Sequence, residues 1–202
     1  MSELAFLVPV LGRPQNVVPL LEHISLSTPD AAVYFIPNPE DEPEIAAIDQ
    51  AGGTILFLST GGYAEKINDD LRPQSGWFEV AMECIECGAQ VVGVNDLLRR
   101  GRVHSTHFLV KREYTLLPLI DGGRGPLCED YDHSCVDDEL AATAKHRQVY
   151  HYAEDAHILH LHPDNKTAPL DSTYVKGRAR ISRDRKLWKS RKYWYIEQGQ
   201  GQ

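Results

Sequence analysis

The chain has 202 residues, 42% of them hydrophobic and 25% charged, with a formal net charge of −8. A chain of that size and ordinary composition folds as one soluble domain without disulfide or metal staples. It contains no run of about 18 apolar residues, which excludes a membrane-spanning helix.

Met1-Ser2-Glu3 leads straight into an apolar run, so no leader is expected and the expected compartment is the cytoplasm. The run, residues 4–10, is followed by Gly12-Arg13-Pro14 and reads as a buried strand and a turn. Asn16 is the predicted cap of a helix whose apolar positions are Val17, Leu20, Leu21 and Ile24. Residues 32–36 form a second predicted strand, closed by Pro37-Asn38-Pro39-Glu40-Asp41. A short helix follows over 42–51 and ends at Gly52-Gly53. Residues 54–58 read as a third strand, and 63–67 begin another helix.

This βαβαβα order is the signature of a mainly parallel sheet with helices on both faces. Ligands in such sheets sit beyond the carboxyl ends of the strands, here at residues 9–13, 37–41 and 59–63. The first loop lacks the glycine-rich dinucleotide fingerprint, and no phosphate-loop motif occurs.

Farther along, helices are predicted over 76–87, 137–146 and 171–188, and strands over 90–94, 103–110 and 157–162. Cys84 and Cys87 have a zinc or redox spacing but lie inside a helical pattern without a second pair. With Cys128 and Cys135 they read as reduced, partly buried thiols. The last thirty residues are basic, carrying Lys176, Arg178, Arg180, Arg183, Arg185, Lys186, Lys189, Arg191 and Lys192. They read as a solvated basic helix face, or as a surface for nucleic acid or another polyanion. Trp188, Tyr193, Trp194 and Tyr195 give that helix a side to pack, while the acidic whole argues against a dedicated nucleic-acid binder.

Three groups of residues carry possible chemistry. Asp137, at a predicted helix start, suits either a cap or a general base. Asp69-Asp70 is a paired carboxylate that is common on surfaces. His160 and His162 are one residue apart, so on a strand both face one way with Leu161 toward the core. They suit either a satisfied pair at a strand edge or two imidazole ligands of a transition metal.

The order of several segments adds a resemblance. They are Val8-Pro9-Val10-Leu11-Gly12-Arg13-Pro14, Tyr63-Ala64-Glu65-Lys66-Ile67-Asn68, Gly76-Trp77, Val92-Gly93-Val94-Asn95-Asp96-Leu97 and Ser105-Thr106-His107. Tyr131 to Leu140, His160-Leu161-His162-Pro163 and Tyr174, Gly177 and Asp184-Arg185 of the last helix complete them. Over nearly its whole length the chain resembles a nucleotide-sugar-dependent glycosyltransferase of GT-A fold, related to family 2 and of the bacteriophage and actinobacterial type.

The resemblance implies one GT-A-like α/β domain. Residues 1–68 would be its nucleotide-binding half, 69–170 its acceptor and catalytic half, and 171–202 a basic C-terminal helix and tail. It implies Mn²⁺ or Mg²⁺ held by Asp69, Asp70 and His162 or His160, with Asp137 as the base that takes the acceptor's proton. Pro9, Arg13, Glu40, Asp41 and Lys66 would hold the nucleotide. The implied partners are a nucleotide-sugar and an acceptor, whether glycan, protein or modified nucleic acid. Family members carry an apolar strand just before the acidic pair, whereas here Asn68 runs directly into Asp69, so that strand is expected to be missing. A catalytically inactive relative that binds a nucleotide or protein, and a metal-dependent hydrolase or nuclease, are the competing readings.

Overall fold

The computed structural model describes residues 4–10, 12–55, 69–98, 105–132 and 134–192. Strand β1 (Ala5–Val10) is followed by a 3-10 turn at Pro14–Asn16 and helix α1 (Val17–Ser27). Then come β2 (Ala32–Pro37), α2 (Glu42–Gln50) and β3 (Thr54–Ile55). β1 pairs in parallel with β2, from Ala5 opposite Ala32 to Val10 opposite Pro37, and β2 pairs in parallel with β3. The predicted opening is therefore present as far as β3.

Helical spacing puts Val17, Leu20 and Ile24 of α1 on one stripe. They bury against Val8 and Val10 of β1, Phe35 of β2 and Ile48 of α2. Each such side chain removed from water stabilises the fold by about 1.5–3 kcal/mol.

The chain forms two compact units. The described residues of Met1–Gly76 and Ile158–Thr173 make the first; those of Trp77–His157 and Tyr174–Gln202 make the second. Besides β1–β3, the first unit holds β4 (Leu71–Pro73). β4 is antiparallel to the last residues of β7 (Tyr150–His160), with Leu71 opposite His160 and Pro73 opposite Ile158. The second unit contains α3 (Trp77–Glu86), β5 (Val91–Asn95), β6 (Phe108–Val110), α4 (Val136–His146) and most of α5 (Ser172–Arg191). There β5 lies between antiparallel β6 and the parallel first part of β7. Its core is built on Val91, Tyr114, Leu140 and Ala144.

Several local expectations are corrected. Asn16 precedes α1 but makes no side-chain cap, because the preceding 3-10 turn already gives it helical angles (φ −88°, ψ −17°). The helix expected from Asp137 begins at Val136, with Cys135 at the cap position in the left-handed region (φ 68°). The strand expected over 103–110 is seen from Phe108 only, and the one expected over 157–162 is the longer β7, which ends at His160. β7 breaks register between the partners of Val94 and Asn95, and Asn95 Nδ2 donates to the Glu154 carbonyl at 2.8 Å across that irregularity. This interruption hides the strand's full length from period-2 reading. The rest of the third predicted strand (56–58), the helix over 63–67 and the strand expected to be missing before Asp69 lie outside the described residues. So do His104 and Tyr193 to Tyr195. Cys84 is half-buried on α3, its thiol pushed up by burial, and Cys87 is exposed; neither forms a disulfide.

Candidate functional site

The carboxyl ends of β1 and β2 are adjacent because the strands are parallel and in register, with Pro9 opposite Ile36. The loops that leave them meet. Gly12 has φ +64°, a conformation glycine adopts without a Cβ penalty, and its N–H donates to Asp41 Oδ2 at 2.7 Å. Asp41 also caps α2, its Oδ1 accepting from the Glu44 N–H at 3.3 Å. One carboxylate thus joins both loops. Glu40 beside it is exposed, and Pro9 is buried in β1.

Arg13 is the hub of this end of the first unit, and it is only 6% exposed. Its N–H donates to Glu44 Oε2 at 2.7 Å. Its Nη1 donates to Asp69 Oδ1 at 3.1 Å and to Asp70 Oδ2 at 3.0 Å. On the other side of the guanidinium, Nε and Nη2 reach Asp171 at 2.9 and 3.3 Å. Asp69 and Asp70 are each 2% exposed, so these are buried charge-assisted bonds. Burial, with Asp70 alongside, pushes Asp69 up to about 6 against the pull of Arg13. Burial pushes Glu44 up to about 7.

His160 ends β7 opposite Leu71, just after the acidic pair, and is 3% exposed. Its Nε2 lies 3.4 Å from Asp70 Oδ1. The backbone repeats the link, since the Leu161 N–H donates to the Asp70 carbonyl at 2.9 Å. His162 lies beyond the strand, and its Nδ1 accepts from the Asp164 N–H at 3.1 Å to cap the turn Pro163–Asn165. The two imidazoles still meet edge to face, with ring centroids 5.1 Å apart. His160 is the buried member, and Leu161, expected in the core, is only half-buried.

The first unit therefore brings together Pro9, Arg13, Asp41, Asp69, Asp70 and His160, with Glu40 and His162 at its margin. Lys66 lies outside the described residues. Asp137 belongs to the second unit, half-buried in the first turn of α4. The loop leading into that turn is fixed from α5: Asp184, 0% exposed, accepts from the Asp132 N–H at 2.9 Å and the Ser134 N–H at 2.6 Å. Glu139, two residues on from Asp137, is 1% exposed. It receives Nε and Nη2 of Arg191 at 2.7–3.0 Å and the Tyr131 hydroxyl at 2.7 Å.

Sequence reasoning missed Glu44 and Asp171, each a single acidic residue in an ordinary helical or loop context, and it quoted Asp184 only within a resembling segment, without a role. It also missed a relay in the second unit in which the Thr106 hydroxyl lies 2.7 Å from Asp96 Oδ2 and 2.9 Å from His107 Nδ1. The position of Asp96 just after β5 was the available signal.

No protein-family model and no curated protein sequence matches the chain. Among solved structures it is similar to glucosyl-3-phosphoglycerate synthase from Mycobacterium tuberculosis in complex with phosphoglyceric acid. The TM-score is 0.56 at 14% identity, covering 88% of this chain and 78% of that one. The fold is that of a GT-A glycosyltransferase. No helix among the described residues is long and apolar enough to cross a membrane.

Proposed function

We propose that the protein transfers a sugar from a nucleotide-sugar to an acceptor hydroxyl. The observation that carries this reading is the buried assembly of Arg13, Asp69, Asp70 and His160 in the unit built on the parallel β1–β3 sheet. GT-A enzymes use a paired-acid motif to neutralise the leaving diphosphate through a divalent cation, which acts as a Lewis acid when bound.

Part of a donor set for such an ion is present: Asp70 Oδ1 and His160 Nε2 are neighbours at 3.4 Å. Asp69 Oδ2 is buried without a hydrogen bond of regular geometry among the described residues, and the Asn16 side chain helps to hold that carboxylate charged. Carboxylate and imidazole ligands suit Mn²⁺ better than the all-oxygen shell preferred by Mg²⁺. Arg13, held in the turn after β1, fixes both carboxylates and keeps their outer oxygens aimed. Pro9, Glu40, Asp41 and Lys66 border the nucleotide, and Asp137 takes the acceptor's proton as the new C–O bond forms. His162 is the alternative late ligand.

A specific observation favours a second reading, a nucleotide-binding relative without catalysis: Arg13 already neutralises one oxygen of each acid. Calorimetric titration with nucleoside diphosphates, with and without Mn²⁺, separates the two. Transferase function predicts binding that requires the metal and is lost in Asp70→Asn. Binding that ignores both supports the inactive relative.

A further inference from the structure

Helix α5 carries a charge pattern that the proposed chemistry does not use. Its 20 residues hold eight lysines and arginines against one acid, in a chain whose net charge is −8. The one acid, Asp184, is buried and spent on the backbone of the 132–134 loop. Every exposed charge on this helix is therefore positive.

The cations are also ordered. The inward stripe of the second unit's part of α5 is Tyr174, Gly177, Ile181, Asp184, Trp188 and Arg191, none of them exposed. On a helix of 3.6 residues per turn, the exposed cations then fall in two rows about half a turn apart. Lys176, Arg180 and Arg183 form one row; Arg178, Arg185 and Lys189 form the other. Arg183 is paired with Asp132, which draws that row's charge toward its first turns. The crest between the rows is exposed and made of small or short side chains, Val175, Ala179, Ser182 and Ser190, interrupted by Lys186. The cationic stretch from Lys176 to Lys189 spans about 20 Å of helix axis.

We propose that this face of α5 docks on duplex nucleic acid, lying along a groove. Two rows of cations flanking a slim crest match phosphate backbones on both walls of a groove into which a bare helix ridge can sink. An anionic membrane presents a plane instead, which would favour cations on the crest and large apolar residues beside them. The crest offers Val175 alone. The negative balance of the rest of the chain confines contact to this face. The inference is independent of the glycosyl-transfer reading.

The test is fluorescence anisotropy of a labelled 20-base-pair DNA with the full chain, over a salt series. The wild type is expected to bind with Kd of about 10⁻⁴–10⁻⁶ M near physiological salt, tightening as salt falls. Two triple variants, Lys176→Gln/Arg180→Gln/Lys186→Gln and Arg178→Gln/Arg185→Gln/Lys189→Gln, are each expected to weaken binding at least tenfold. Each should also lower the salt slope by about 2–3. Arg112→Gln, an exposed cation off α5, is expected to bind as the wild type does. All substituted positions are exposed, and circular dichroism verifies that the variants fold. The proposal is overturned if the wild type fails to bind duplex at low salt, or if either triple binds unchanged. It is equally overturned if phosphatidylserine vesicles capture the protein while duplex does not.

Discussion

Arg13 Nη1 donates to Asp70 Oδ2 at 3.0 Å, with both side chains sealed from water. This bond joins the turn after the first strand to the residue before β4, and the same nitrogen holds Asp69. A buried guanidinium of this kind contributes little net stability while intact, but its loss leaves uncompensated charge. Arg13→Gln is therefore expected to destabilise the protein by about 3–5 kcal/mol in urea unfolding at neutral pH. Arg13→Lys should recover only part of this, because an ammonium cannot replace the fork that reaches Asp171 as well.

The loop leading into α4 depends on Asp184 in a comparable way. Asp184→Ala removes the acceptor of the Asp132 and Ser134 N–H groups, and a loss of about 2–4 kcal/mol is expected. Hydrogen exchange at those two amides should accelerate well beyond that of the α4 interior. Unchanged protection there would mean that the loop is held by other contacts.

Glu44 links the site to pH. Burial raises it from 4.5 to about 7, so the folded protein holds a proton that the unfolded chain releases above 4.5. The stability this supplies is complete below 4.5 and fades as pH rises through about 7. Glu44→Gln cannot ionise and keeps an oxygen for the Arg13 N–H. Relative to the wild type, its urea midpoint should rise progressively between pH 4.5 and 7 and then level off. A constant offset across that window would contradict the assignment.

Asp41 has two separable duties. Asp41→Ala is expected to cost about 1 kcal/mol through the lost cap of α2. It should also weaken nucleoside diphosphate binding in calorimetry, because the Gly12 turn loses its anchor. Asp41→Asn restores the cap more fully than it restores the affinity.

The first half of the fold was legible because its signals are local: apolar β-branched runs, helical spacing from Val17 to Ile24, and Gly-Pro punctuation. β7 was not, since its break opposite Asn95 erases the alternation that marks a strand. Asp69-Asp70 was singled out as a paired carboxylate and given a metal role by a resemblance, yet its most intimate partner, Arg13, lies more than fifty residues away and was assigned only to the nucleotide. The roles of Asp171, Glu44 and Asp184 were invisible for the same reason. A carboxylate's role here is set by which backbone or guanidinium N–H the fold delivers to it, and that is non-local. His160 and His162 show the mixed case: their shared side was readable, but the strand's end between them, which buries one and leaves the other as a cap, was not.

Glycosyl transfer itself is tested most directly by release of nucleoside diphosphate from a panel of nucleotide-sugars with Mn²⁺, comparing the wild type with Asp70→Asn and Asp137→Asn. The account predicts metal-dependent release from at least one donor, abolished in Asp70→Asn. In Asp137→Asn, release should fall by about 10²–10⁴-fold while the protein remains folded. No release from any donor, or release that both variants sustain at the wild-type rate, would contradict it.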